Sequence, residues 1–240
     1  MKHSDGSFRS PTPAIKAIAL AVAATVLAAV SIAAPKAPRV QTGPDAEITH
    51  DGLHRVDKTV VDAAWVKPDL DLTSYTKLMI ASAGVSFRKL DPVSDFQARR
   101  ETEFPVQEEN KAQLQQILKD AFVEELGKLE RYQIVAEPGP DVLLLVAGVI
   151  DVLSRIPPDV DSAKFGRGGV YLTSVGEATL VLELRDSQSN EVLARAADRR
   201  AAESAFAFEV NNVTAWTEVR RLAQRWARLV VDRLETLEKV

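Results

Sequence analysis

The stretch EATLVLELR, residues 177–185, alternates Ala178, Leu180, Leu182 and Leu184 with Glu177, Thr179, Val181, Glu183 and Arg185. A period of two marks a strand with one face in a core and the other in water. DSQSN, residues 186–190, then supplies turn chemistry, with Asn190 able to adopt left-handed backbone, and EVLARAADRR, residues 191–200, returns as a partner strand. The pair reads as a hairpin.

On the carboxyl-terminal side, Trp216, Val219, Ala223, Trp226, Val230, Leu234 and Leu237 fall on one stripe of a helix over residues 214–237, with Thr214 placed to cap its free amides. On the amino-terminal side, residues 142–152 form a nearly continuous apolar run, the pattern of a strand covered on both faces. Before it, residues 132–135 make a short strand closed by the breaker Pro138–Gly139–Pro140. In residues 106–129 the apolar side chains Leu114, Ile117, Leu118, Ala121, Phe122, Leu126 and Leu129 recur at three and four, predicting a second amphipathic helix. Residues 88–105 read as a connecting loop and residues 75–87 as a first long strand.

Strands grouped between two long amphipathic helices predict an α+β fold: a mixed, largely antiparallel sheet with both helices packed on one face. Alternatives are an open sandwich with the helices on opposite faces, or an added edge strand from residues 51–68.

Residues 17–34 are uncharged and apolar, preceded by Lys2, Arg9 and Lys16 and followed by Pro35, Lys36 and Arg39. This is the pattern of an export signal. Nine of those 18 residues are Ala, a weak membrane-inserting residue, which favours cleavage over a retained inner-membrane anchor. Ser31 and Ala33 suit signal peptidase, and cutting after Ala34 would put Pro35 at the scissile bond, so the expected cut lies between Ala33 and Ala34. The expected organisation is a signal peptide or signal anchor over 1–33, a flexible leader over 34–50 and a single α+β domain over 51–240.

Losing residues 1–33 removes Lys2, Arg9, Lys16 and Asp5, leaving a chain more acidic than the formal net charge of −4. Bulk electrostatics therefore exclude a nucleic-acid coat protein. The chain has no cysteine, which excludes disulfides, thiol catalysis, cysteine metal sites and the lipid-modified cysteine of envelope lipoproteins.

Chemical motifs are sparse. His50 and His54 flank Asp51–Gly52 in a turn, with no third ligand in view for a metal and no Gly-x-Ser-x-Gly elbow for a nucleophile. Gly166–Arg167–Gly168–Gly169 lacks the Gly-Lys-Ser/Thr ending of a phosphate loop. Glu108–Glu109 and Glu124–Glu125, beside Lys111, Lys119 and Lys128, read as helix surface, because adjacent helical residues do not face each other. Asn212–Val213–Thr214 fits a glycosylation sequon, though the threonine is better explained as a cap. Arg221, Arg225 and Arg228, at four and three spacing away from the tryptophan stripe, form a candidate face for an acidic envelope partner or an anionic lipid surface, with Glu218, Asp232, Glu235 and Glu238 available to pair with them. No cofactor or small-molecule substrate is indicated.

Several segments in order resemble one bacterial family. Asp51–Gly52–Leu53, Tyr75–Thr76–Lys77, Glu137–Pro138–Gly139–Pro140–Asp141–Val142–Leu143, Gly176–Glu177–Ala178, Arg185–Asp186–Ser187 with Glu191–Val192–Leu193–Ala194, then Trp216 and Trp226–Ala227, are similar to the domain of unknown function 3313 family over about residues 50–237. The resemblance implies an exported envelope protein of Gram-negative bacteria. Members often carry a lipobox cysteine, which this chain lacks, and Asn190 stands where a turn glycine is usual. The resemblance transfers no catalytic residue, cofactor or substrate. The expected role is a non-catalytic binding or accessory module in the periplasm. A periplasmic hydrolase and a structural subunit of an envelope complex are the alternatives.

Intact-mass analysis of periplasmic material is expected to give a chain starting at Ala34. Full-length mass confined to the inner membrane would establish the anchor instead.

Overall fold

A computed structural model describes residues 38–90, 102–157 and 169–237. The signal run and the junction at Ala33 and Ala34 lie outside them. Among the described residues, no helix is long and apolar enough to cross a membrane.

In chain order the elements are β1 (Arg39–Val40), β2 (His54–Asp57), β3 (Ala63–Val66), β4 (Lys77–Phe87), α1 (Glu108–Leu126), β5 (Gln133–Ile134), β6 (Val142–Ser154), β7 (Tyr171–Asp186), β8 (Val192–Glu209) and α2 (Asn212–Thr236). The strands form one sheet in the order β1-β2-β3-β8-β7-β6-β4-β5. β4 runs parallel to β5 and β6, and the other pairs are antiparallel. A parallel pair needs a long crossover, and α1 lies in the chain between β4 and β6. This is the expected α+β fold with a mixed sheet.

The β7–β8 hairpin holds the middle of the sheet. Asp186 closes its turn by accepting from the Ser189 amide at 2.7 Å, the Gln188 amide at 3.1 Å and the Ser189 hydroxyl at 2.8 Å, and Asn190 takes φ 60°. Register places Leu180 and Leu184 beside Val149 and Leu145 of β6, and beside Asp198 and Ala194 of β8. Ile117, Leu118 and Ala121 of α1 and Leu222, Ala223, Trp226 and Val230 of α2 join these leucines in one buried cluster. Both helices therefore cover the same face.

The other face carries charge. Arg195 reaches Glu183 and Asp51, each at 2.9 Å, and Arg55 lies 4.6 Å from the centroid of the Trp65 ring. Burial opposes the Glu183 charge, yet hydrogen bonds from Arg185 and Arg195 hold its carboxyl below the usual range. The continuous apolarity of β6 does not reflect two covered faces. Leu144 and Val146 are only half-buried and Ile150 is exposed, because that side meets the charged face rather than a helix.

One acid sits on the helix-covered face. Asp198 is 1% exposed and accepts from Trp226 Nε1 at 2.9 Å and from Arg200 Nε and Nη2 at 2.7 and 3.1 Å. Arg200 Nη2 also donates to the Val60 carbonyl at 3.2 Å. A buried carboxylate without such donors is strongly destabilising, so α2, β8 and the β2–β3 connection are tied at one point.

Several boundaries differ from expectation. Within the 34–50 leader, β1 pairs with β2, Gln41 N donates to Arg55 O at 2.8 Å, and Ile48 bridges His54, so the ordered chain begins well before Asp51. The 51–68 segment supplies two strands, β2 and β3, rather than one. β7 starts at Tyr171 and β8 continues to Glu209. In the 88–105 connection, Phe104 is 1% exposed and pairs with Ser154 through backbone bonds of 2.7 and 2.9 Å. Thr214 is not the cap of α2. Asn211 is, accepting from the Val213 and Thr214 amides, while the Thr214 hydroxyl takes the Asn211 amide, a reciprocal capping box.

Trp226→Ala is expected to cost about 3–5 kcal/mol through the cavity it leaves. Trp226→Phe, which keeps most packing but removes the donor to Asp198, is expected to cost about 1–3 kcal/mol. Chemical denaturation of the two variants measures both, and a Trp226→Phe variant as stable as the parent would show that the hydrogen bond contributes nothing.

Candidate functional site

The strands that end beneath the helix amino termini are irregular. Register shifts occur in β4 between Ser82 and Phe87, in β6 between Ile150 and Leu153, and in β7 between Leu172 and Glu177. Bulges bend strands and increase their twist. Asp151, within the β6 shift, has φ 58°, and its carboxylate is gripped by Arg88, which also reaches Glu103 at 3.0 Å. Gly176 is required in β7, because a Cβ there would lie 2.5 Å from the Leu153 carbonyl oxygen.

Between this bulged end of the sheet and the first turns of both helices is a cavity of about 230 Å³. Leu114 and Leu118 of α1, Trp216, Val219 and Trp226 of α2, and Val149, Val152 and Val175 of the sheet give it an apolar wall. Trp226 and Ala223 are fully enclosed, whereas Glu109, Asn211 and Asn212 are exposed and mark the mouth. Gln107 and Asn110 lie beside them.

Glu177 lies at the wall's edge, held by Arg199 and, at 3.1 Å, by Arg155. Burial works against its charge, but the two guanidiniums keep the carboxyl below its ordinary value. Such a group is a poor proton donor near neutrality. Ser154, the one hydroxyl among the described lining residues, is in a local hydrogen-bonded turn, with Oγ 3.3 Å from the Ile156 carbonyl and 3.0 Å from the Ile156 amide. No histidine, lysine or arginine is among the described lining residues. Among the described residues the arrangement offers apolar contact and amide hydrogen bonds, and no paired nucleophile and base.

Of the polar and charged groups weighed as candidate sites from sequence, Glu109 and Asn212 stand at this mouth and the others are elsewhere. His54 sits in β2 with Nδ1 2.8 Å from the Gln41 carbonyl, His50 is exposed in the preceding turn, and among the described residues no group of three His, Asp or Glu side chains is placed to hold a metal. Gly166, Arg167 and Gly168 lie outside the described residues. Lys111 pairs with Glu108 at 2.5 Å and Lys128 with Glu125 at 3.0 Å, as helix-surface pairs. Arg221, Arg225 and Arg228 are exposed on α2. Arg221 pairs with buried Glu218 at 2.5 Å, Arg225 is 3.5 Å from the Ala201 carbonyl, and Arg228 donates to Gln224 O at 3.2 Å. Glu235 serves another purpose, accepting from the Glu130 and Arg131 amides beyond α1.

In the sequence, Trp216, Val219 and Trp226 read purely as packing residues of one stripe. The available signal for a site was Gly176 at the head of an alternating strand, where glycine marks a bulge or close backbone approach.

The profile of the family described as protein of unknown function (DUF3313) matches residues 48–230, which takes in the sheet from β2 onward and most of α2. The chain belongs to the DUF3313 family. No curated protein matches its sequence. Among solved structures, the DUF3313 chain is similar to the PelC dodecamer from Paraburkholderia phytofirmans, with 10% identity, TM-score 0.35, and coverage of 73% of this chain and 98% of PelC. It is also similar to a Xanthomonas campestris protein of the DUF330 family, with 9% identity, TM-score 0.37, and coverage of 65% and 82%. Neither likeness carries a function across.

Glu177→Gln is expected to lower stability by about 1 kcal/mol, the scale of a partly exposed ion pair, and the melting temperature by about 2–4 °C. Because the folded carboxyl titrates below its unfolded value, its contribution is complete above the ordinary carboxylate range and is lost as pH falls through the folded value. The gap between variant and parent should therefore close in acid. Melting curves at neutral and acid pH check this, and a gap that widens in acid would overturn the assignment.

Proposed function

We propose that this DUF3313 protein is a non-catalytic binding module of the bacterial envelope, and that its ligand enters the cavity between the helix amino termini and the bulged sheet. The carrying observation is the cavity's chemistry: an apolar interior closed by Trp216 and Trp226, with a polar mouth. Small-molecule sites are concave and mostly apolar, with a few placed polar groups. The signal pattern over residues 1–33 supports residence outside the cytoplasm. Against a hydrolase stands the lining itself, where Glu177 is neutralised by two arginines and the Ser154 hydroxyl faces its own turn.

The test uses the neutral fluorophore N-phenyl-1-naphthylamine, because Trp216 and Trp226 in the wall can transfer excitation to it. Saturable one-to-one binding is expected, weakened at least tenfold by Val219→Phe, which fills the cavity. Leu114→Phe serves as a second blocking variant if the first fails to fold. Absence of saturable binding, or unchanged affinity in folded blocked variants, would overturn the pocket. Turnover of an ester, phosphate or glycan substrate, abolished by one substitution in the lining, would overturn the non-catalytic reading.

A further inference from the structure

Resting on that reading of the pocket, we infer that its ligand is a single-chain amphiphile whose head is uncharged and hydrogen-bonding, such as a sugar or an amide, rather than an anionic phosphate or carboxylate. Three observations lead to it, on size, on charge and on the polar groups at the mouth.

The cavity of about 230 Å³ falls below the range of roughly 300–1,000 Å³ usual for drug-sized ligands, which suits one acyl chain and not the paired chains of a bilayer lipid. Its wall is aliphatic and aromatic from Val152 and Val175 to Trp226.

Charge then selects the head. Two helix amino termini meet at the mouth, and free helix amides with the helix dipole ordinarily favour anions. Here that preference is met by a cap at α2 and offset by acidic side chains at α1. The Asn211 carboxamide oxygen takes the Val213 and Thr214 amides at 3.0 Å each, and α1 opens with Glu108 and Glu109 in its first turn. The charged groups in the described lining are Glu109 and Glu177, both acidic, so an anionic head would meet like charge with no cation to receive it. Glu177 is compensated by Arg155 and Arg199, which removes the drive for a cationic head at that edge.

Hydrogen-bonding capacity remains. Gln107 makes no side-chain cap bond to α1, and Asn212 stands exposed at the first position of α2. With Asn110 they bring three carboxamides to the mouth, each offering both donors and an acceptor. Hydroxyl or amide heads match that supply on both counts, whereas a carboxylate uses only the donors.

The experiment displaces bound N-phenyl-1-naphthylamine with three amphiphiles sharing a decyl chain, each below its micelle concentration: decyl maltoside, decanoate and decyltrimethylammonium. Decyl maltoside is expected to displace the probe at a concentration at least tenfold lower than either of the others. The variant Glu109→Lys, altered at the exposed mouth, is expected to bring decanoate to within about threefold of decyl maltoside, each displacement being scaled to the probe affinity measured for that variant. Equal displacement by all three, or preference for either charged amphiphile, would overturn the head assignment and leave the pocket standing. Failure of the probe to bind at all would overturn the pocket reading beneath it.

Discussion

The hydrogen bond between Trp226 Nε1 and Asp198 fixes how the last helix lies on the sheet. Asp198 shares its face with Leu180 and is 1% exposed, so its charge depends on Trp226 and on the two-pronged grip of Arg200. Apolar attraction is non-directional, so by itself it specifies the seating of a helix less sharply than a buried hydrogen bond does. A buried carboxylate resists a shift of the helix, since it would lose the Trp226 donor. Once Trp226 is seated, Trp216 and Val219, two or more turns earlier, stand over the bulged strand ends and close one side of the cavity.

The shifts in β4, β6 and β7 complete that cavity from below. A regular strand would send alternate residues to opposite faces, yet Val152 and Leu153 are both buried, as are Ser174, Val175 and Gly176. The irregular backbone turns the sheet end toward the helices, and the Arg88–Asp151 pair and the Arg155–Glu177–Arg199 group hold its charged side. The site is thus a product of tertiary arrangement: helix starts on one side, strand defects on the other.

That origin explains what the sequence disclosed and what it concealed. The alternation over residues 177–185, the turn at 186–190 and the two helical stripes were legible because each reports a single element meeting a single core. β1 left no trace, since Arg39 and Val40 join the sheet through edge hydrogen bonds that have no side-chain pattern. The end of β8 was hidden for a related reason, its residues 201–209 mixing alanine, phenylalanine and glutamate without a steady period. Asp198 looked like any strand acid, because the partner that makes it structural is on another element. The pocket was legible only in pieces: a stripe residue reads the same whether it touches a neighbour or borders a void.

The position of β3 in the sheet sets the order in which the chain can assemble. Ala63 pairs with Ala197 and Val66 with Ala194, so the amino-terminal strands have no place on the main sheet until β8 has been made available. Pairings between such distant residues close long loops and form slowly. The first strands therefore join the main sheet only once most of the polypeptide is present. The amino-terminal strands cannot lock into the native sheet while the carboxyl-terminal part of the chain is still missing.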